Sequence, residues 1–441
     1  MKSRPSTRKV CLLMMAMGVV LRSGGTASAQ RVPEFEEDPI HYSATITSNR
    51  ADRLQNLWFE GRLEGVGDYG KAALRAFLAA FEIPIDSQTL VFSKTSLQNS
   101  RIEPRNPRAI YFSDDAYFGW VPGGIYELAL NDPRLGLVFY EIDPYKKRIA
   151  RNRDCLSCHG GSRTGDWPGV LVRSVYPESD GNVLWQGGSH VTRQDSPIEQ
   201  RWGGWYVTGQ HGAARHLGNE FATWDGTAAV LDTEAGANAT DLGGRFDTSK
   251  HLRPDSDIVA LMVLEHQCEM HSRLSRAKLR ILKWQAHQED FYKRIGEPAP
   301  SEPTGTLLTV LNGERDRILE YLLFRDEIQL PDGGIRGAGR FEAAFLANRK
   351  PDTLDRSLKD FDLQTRLFRY RCSYMIYSEA FDLLPVMLKR ALYAELETIL
   401  RDSTPTDRYS HLTAKERRDI RDILFATKPE MRELLKDHEP R

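Results

Sequence analysis

The chain lacks several features that would assign it to a familiar class. No apolar run after residue 21 is long enough to cross a bilayer, since a membrane-spanning helix needs about 20 residues. No strong net charge is present, because 60 Lys and Arg residues nearly balance 61 Asp and Glu residues. The absence of an internal repeat excludes a repeat architecture. No nucleotide-binding loop and no H-E-x-x-H metal motif occurs.

The N-terminus contains the three parts of a secretory signal peptide. Residues 1–9 carry four basic residues and no acidic one, residues 10–21 are apolar, and a small-residue stretch ends at Ala29. The apolar part is about twelve residues long, which is too short for a membrane anchor. We therefore expect cleavage after Ala29 and export, to the periplasm or beyond, with no membrane span in the mature chain.

Removal of residues 1–29 would leave 55 basic residues against 61 acidic ones, because this segment carries five basic residues and no acidic one. This balance argues against nucleic acid as a partner. The remaining 412 residues are long enough for two or three domains. Four cysteines remain, and Cys268 and Cys372 either form one long-range disulfide or stay separate buried thiols.

The most informative motif is Cys155-Leu156-Ser157-Cys158-His159. Two cysteines two residues apart, followed at once by histidine, form the attachment pattern of a c-type haem. The thiols can each bond one vinyl-derived carbon, which brings the histidine under the iron as its proximal ligand. The motif predicts one covalent haem c, bound through Cys155 and Cys158, with His159 as axial ligand. Export agrees with this prediction, because bacteria attach this haem outside the cytoplasm.

Two other sites could use the same residues. A zinc site would need a fourth ligand besides Cys155, Cys158 and His159, and no second Cys-x-x-Cys occurs at ribbon spacing. A thioredoxin-like redox pair would follow a parallel strand, whereas residues 151–154 are polar and do not resemble a strand. Haem attachment is therefore the favoured interpretation.

The hydrophobic pattern changes along the chain. Residues 53–81 carry apolar residues at helical spacing, whereas residues 89–208 contain short β-branched or aromatic runs that predict antiparallel strands. Among these, Asp180-Gly181 predicts a hairpin turn between strands at residues 170–176 and 183–186. Helices are predicted from Asp255 onward.

These patterns predict an α+β fold. Its parts are a signal peptide at residues 1–29, a β-rich haem-binding region at residues 30–250, and a mainly helical region at residues 251–441 that packs on it. The region is not a small class I cytochrome c domain. No methionine lies between Met17 and Met262, so the usual downstream ligand is missing.

The chain resembles a family of large secreted bacterial proteins described as cytochrome c domain-containing. The resemblance covers most of residues 40–430 and rests on six segments: residues 87–96, 107–112, 154–161, 201–209, 256–271 and 372–378. It implies one covalent haem c and export. No activity is established for the family.

The sixth ligand of the iron must come from elsewhere in the chain. The candidates are His190, His211, His216, His251, His266, His271, Met262 and Met270. Of these, His266 lies at the centre of an apolar stripe on the helix that starts near Asp255, where a buried haem edge would need an imidazole. The alternative for His266 is a core histidine bonded to a carbonyl. Met262 and Met270 on the same stripe are expected to be core residues.

A second cluster, residues 211–219, offers rival distal residues. Its glycines allow a flat ligand to approach the backbone, so His211 and His216 are candidate ligands and Arg215 could pair with a haem propionate. A plain surface loop is the alternative. Further propionate candidates are Arg163, Arg173 and Arg201.

Three functions are compatible with a single haem. Electron transfer to a redox partner protein is the first expectation, with the potential set by the distal ligand and burial. The alternatives are a peroxidase-like haem oxidoreductase with an open distal site, and a haem-based sensor or structural role.

Overall fold

The protein is described here by a computed structural model, which covers residues 32–63, 66, 69–401 and 407–436. The predicted signal peptide, residues 1–29, lies outside the described residues. Pro33 and the residues that follow it belong to one compact unit. This unit has a mostly antiparallel β-sheet in its N-terminal half and helices in its C-terminal half, which confirms the predicted α+β class.

Two helices precede the sheet, where the periodicity predicted a single one over residues 53–81. Helix α1 spans Arg50–Phe59 and helix α2 spans Lys71–Ala80. The separation follows from the sequence, because four glycines lie between residues 61 and 70, and two of them, Gly61 and Gly70, have positive φ. A capping box fixes the start of α1 at Asn49.

A seven-stranded antiparallel sheet forms the centre of the fold. Its strands lie in the order β6-β5-β4-β3-β2-β1-β9, so the first six make a meander and β9 extends it beside β1. The strands of this sheet are β1 (Thr89–Val91), β2 (Arg108–Ser113), β3 (Ala116–Trp120), β4 (Tyr126–Asp132), β5 (Gly136–Asp143), β6 (Arg148–Arg151) and β9 (Trp205–Tyr206).

Two small hairpins accompany the sheet. Strands β7 (Val172–Val175) and β8 (Ser189–Thr192) pair with each other, as do β10 (Thr223–Trp224) and β11 (Ala229–Val230). The predicted turn at Asp180-Gly181 is present, since Pro177 and Val183 form a bridge across it. The strand predicted at residues 183–186 is displaced, because a 3₁₀ turn occupies Trp185–Gly187.

The C-terminal half consists mainly of helices. They are α4 (Ile258–Ile295), α5 (Gly305–Leu322), α6 (Arg340–Leu346), α7 (Glu379–Asp382), α8 (Val386–Arg401), α9 (Ala414–Thr427) and α10 (Pro429–Lys436). Helix α4 begins at Ile258, three residues after Asp255, near which the sequence predicted its start. The Asp257 carboxylate caps it by accepting hydrogen bonds from the backbone N–H groups of Val259 and Ala260.

The sheet has two buried faces, since successive side chains of a strand point to opposite sides. One face carries Leu90, Ala109 and Phe118 and belongs to the same apolar cluster as helices α1 and α2. The other face carries Val91 and Phe139 and belongs to the cluster that includes α4 and the C-terminal helices. The Cys155–His159 motif follows directly after β6 at this second face.

Candidate functional site

The motif folds into one short helical turn, α3, at Leu156–His159. The His159 amide donates to the Cys155 carbonyl at 2.9 Å, and Gly160 and Gly161 follow at once. Cys155 is partly buried and Cys158 is exposed, and both are free thiols. Burial raises the pKa of the Cys155 thiol to about 12. The turn therefore places both free thiols at the apolar pocket that is described below.

Strand β6 ends at Arg151, so the stretch before the motif is partly a strand, contrary to the sequence analysis. It pairs with β5 in antiparallel orientation. A thioredoxin-like redox pair would follow a parallel strand, and the alternative remains disfavoured for that reason.

The imidazole of His159 is oriented by its surroundings. Its Nδ1 lies 2.9 Å from the Gly169 carbonyl oxygen, and its ring centroid lies 4.8 Å from that of Phe139. A carbonyl only accepts, so Nδ1 carries the proton and Nε2 carries the lone pair. Burial lowers the pKa of His159, which keeps the ring neutral. A neutral imidazole with one nitrogen bonded to a carbonyl is the form in which histidine ligates metals.

A pocket opens beside the motif, between the second face of the sheet, strand β7 and helix α4. Cys155, Cys158 and His159 line it together with apolar side chains from all three elements. These apolar residues include Val91, Ile110, Phe139, Val170, Val172, Trp205 and Leu264. A flat apolar cofactor bonded to the two thiols would be surrounded by such side chains, so the chemistry of the wall fits a haem.

Charged groups in the pocket form two sets. Arg108 of β2 and Glu127 of β4 make an ion pair inside the pocket. Arg163 and Arg173 lie at the Cys158 side of the pocket. Burial lowers the pKa of Arg173, and the neighbouring Arg163 cation lowers it further, whereas the Cys158 sulfur acts in the opposite direction. Within the described parts of the chain, neither Arg163 nor Arg173 makes an ion pair with a carboxylate.

Arg173 is held in place by weak contacts instead. Its guanidinium lies 4.9 Å from the centroid of the Trp185 ring and donates to the Ser189 hydroxyl at 3.0 Å. Two of the three predicted propionate partners, Arg163 and Arg173, therefore lie at the pocket. The third, Arg201, does not, because it forms a buried ion pair with Glu265 at 2.6 Å.

The structure does not bring His266 to the pocket. Its Nδ1 donates to Gln194 Oε1 at 3.1 Å, and its Nε2 accepts from the Ser373 hydroxyl at 2.7 Å. The ring stacks on Phe324 at 4.5 Å and on Tyr321 at 5.2 Å. Burial lowers its pKa to about 3. Both nitrogens are thus used within the protein core, which supports the alternative of a core histidine.

His211, His216 and Arg215 are also not among the residues that line the pocket. His211 donates to the Ala214 carbonyl and accepts from the Asn238 amide, so both of its nitrogens are bonded. His216 accepts from the Gly218 amide at 3.0 Å, and its buried Nε2 has no partner within the described residues.

Arg215 pairs with the Glu234 carboxylate at 2.5 Å. The geometry does not support distal ligation by His211 or His216, nor propionate binding by Arg215.

The other ligand candidates are accounted for by protein contacts or by core packing. His190 bonds to Ser196, and His251 to the Pro107 carbonyl. His271 forms a hydrogen bond with the Tyr117 hydroxyl at 2.6 Å. Met262 and Met270 are buried in the core, as expected. Cys268 and Cys372 are separate buried thiols, which answers the question that the sequence left open.

Three pocket residues were missed by sequence reasoning: Arg108, Gly119 and Glu127. A signal was present, since Arg108 shares one strand face with the apolar Ile110 and Phe112, and a charge on an apolar face calls for an explanation. Its partner could not be identified, because Glu127 lies two strands away and its position depends on the register.

Within the described residues no group of three or more His, Cys, Asp or Glu side chains could hold a metal ion, and no helix is long and apolar enough to cross a membrane. Comparison of the chain with protein-family models, with curated proteins and with solved structures finds no match.

Proposed function

We propose that this protein is an exported monohaem cytochrome c that transfers single electrons to or from a redox partner protein. The observation that carries the proposal is the position of the Cys155–His159 motif at the rim of an apolar pocket. A covalent haem requires attachment residues and a cavity for the macrocycle, and Cys155, Cys158 and His159 line the pocket that could hold it.

The resemblance to large secreted proteins with a cytochrome c domain supports the same proposal. So does the signal peptide pattern of residues 1–29, because haem attachment to this motif requires export.

Each residue of the pocket has a defined task in this proposal. Cys155 and Cys158 would hold the haem covalently, and His159 would ligate the iron through Nε2, with the Gly169 carbonyl fixing the ring orientation. Arg163 and Arg173, which line the same pocket, would be the candidate partners of the propionates. The haem would supply one-electron chemistry, and the apolar wall would exclude water from it and thereby tune its potential.

A second function is favoured by one specific observation. Among the described residues that line the pocket, His159 is the only histidine and no methionine occurs. An iron with His159 as its single strong protein ligand would keep an open position, as haem oxidoreductases and haem sensors do. A haem-dependent oxidoreductase is therefore the second candidate.

The first experiment tests attachment. The protein is produced with its signal sequence in a host that matures c-type haem, and covalent haem is measured after denaturation. We expect one haem per chain, and loss of it in the double variant Cys155→Ser/Cys158→Ser. Cys372→Ser is the matched control, because this buried thiol lies outside the pocket lining and should leave haem content unchanged. Covalent haem in the double variant would refute the proposal.

The second experiment separates the two functions. Ferric, ferrous and CO-exposed spectra are recorded for the purified holoprotein. Low-spin bands that CO does not move would support a pure electron carrier, and high-spin iron that binds CO would support the oxidoreductase.

A further inference from the structure

The Arg108–Glu127 ion pair is not explained by the stability of the sheet. It lies in a pocket whose other walls are mostly apolar, with about a fifth of each side chain exposed. A buried ion pair is often no more stable than apolar residues of similar size. Because the pair lies beside Cys155 and His159, we expect it to contact a ligand of the pocket.

The ion pair depends on the register of strands β3 and β4 and on the glycine at position 119. In the sheet register, Gly119 of β3 lies directly opposite Glu127 of β4. A Cβ at residue 119 would lie 2.4 Å from the nearest guanidinium nitrogen of Arg108 and 2.8 Å from the carboxylate of Glu127. Arg108 thus reaches Glu127 across β3 only because residue 119 has no side chain. Ser96 also donates to Glu127, at 3.3 Å.

Arg108 retains a donor that the protein does not use. Its Nε is buried and has no hydrogen-bond partner among the described residues, as is also true of the Nε of Arg173 in the same pocket. Arg108 differs from Arg173 in that a carboxylate, Glu127, holds its guanidinium in place across Gly119. A guanidinium has five N–H donors and no acceptor, so an unused buried donor costs free energy unless a ligand accepts its hydrogen bond. The matching ligand is a small anion or a strongly polarised oxygen.

We propose that Arg108, positioned by Glu127 across Gly119, is the group with which this pocket would bind a small anionic ligand of the haem. The inference rests on the proposed haem site with an open iron position, as in the second candidate function, and adds its ligand class: azide-like or nitrite-like anions in preference to neutral molecules. Glu127 is a positioning residue that also partly offsets the positive charge of Arg108. Haem propionates share the anionic chemistry, so the experiment must distinguish the two sources.

The test is a spectroscopic titration of the ferric holoprotein with azide and of the ferrous holoprotein with CO. We expect Arg108→Met to weaken azide binding about 10- to 100-fold, because a charge-assisted hydrogen bond is lost, and to leave CO affinity within a factor of about two. Glu127→Gln should act in the opposite direction and tighten azide binding several-fold, because it removes the negative charge that repels the anion and offsets the charge of Arg108. If Arg108 and Glu127 had only a structural role, both variants would bind azide and CO more weakly than the wild type.

Gly119→Ala provides an independent perturbation that leaves both charges in the chain. The added methyl group displaces the guanidinium and the carboxylate, and azide affinity should fall while CO binding persists. Arg215→Met is the matched control, because this arginine pairs with Glu234 and does not line the pocket, and its azide affinity should stay near that of the wild type.

The outcomes are distinguishable from failure of the haem site itself. Absence of covalent haem in the wild type would refute the proposed function. Covalent haem with no azide binding, or equal azide affinity in the wild type and Arg108→Met, would refute the anion site alone. Loss of haem content in Arg108→Met but normal azide binding by the haem that remains would assign Arg108 to a propionate, and would also overturn the inference.

Discussion

Replacing His266 by alanine tests whether this residue is a core histidine or a haem ligand. The substitution removes two hydrogen bonds, to Gln194 at 3.1 Å and to Ser373 at 2.7 Å, and leaves both buried partners unsatisfied. Each unsatisfied group costs about 1–3 kcal/mol, and the vacated space beside Phe324 adds a cavity term. We expect a loss of about 3–5 kcal/mol in the free energy of unfolding at pH 7.5.

The loss should become smaller as the pH falls. In the folded protein the pKa of His266 is about 3, below the ordinary value of 6.5, so the unfolded chain binds a proton at this residue that the folded chain does not. Wild-type stability therefore decreases by about 1.4 kcal/mol per pH unit between pH 6.5 and pH 3 on account of this residue. The alanine variant lacks this term. At pH 5 its deficit should be about 2 kcal/mol smaller than at pH 7.5.

Urea denaturation of wild type and variant at both pH values measures the two quantities, and the absorption spectrum of the holoprotein is recorded alongside. We expect an unchanged spin state. Conversion of a low-spin to a high-spin spectrum would show that His266 ligates the iron, and a stability difference independent of pH would show that its pKa is not depressed.

Three further predictions concern the scaffold. Arg201→Met should cost about 3–5 kcal/mol because it leaves Glu265 charged and unpaired in the core, and the double variant with Glu265→Gln should recover most of that loss in urea titrations. Asp257→Ala should cost about 1–2 kcal/mol by removing the cap of α4, measured in the same way; an effect below about 0.5 kcal/mol, the lower end of the usual cost of losing a cap, would contradict it. A thiol reductant should leave the melting temperature unchanged, since Cys268 and Cys372 are free; a decrease would reveal a disulfide.

The architecture was predictable to the extent that local patterns express it. Short β-branched or aromatic runs located strands β1 to β5, and the apolar stripe located α4, which begins at Ile258, close to the predicted start near Asp255. The break between α1 and α2 was missed, because the apolar spacing continues on both sides of the glycines near residue 65. Strand β6 was missed, since Arg148–Arg151 carries two arginines and only one fully buried side chain.

The candidate site was only half predictable. Periodicity correctly indicated that His266 is buried. It does not indicate which residues from other parts of the chain pack against the buried face of a helix. The partners of His266, Gln194 and Ser373, are 72 and 107 residues away in the chain. Nothing at positions 194 or 373 distinguishes them from other polar residues of the sequence.

By itself the sequence determined the features that depend on neighbouring residues: the Cys155–His159 spacing, the export pattern and the short apolar runs of the strands. The tertiary structure alone decided what surrounds that motif. It places the Gly169 carbonyl on His159 and aligns β2, β3 and β4 so that Arg108 meets Glu127 over Gly119. The physical reason is that these contacts depend on strand register and chain reversal, which are set by packing of the whole fold and not by any local segment.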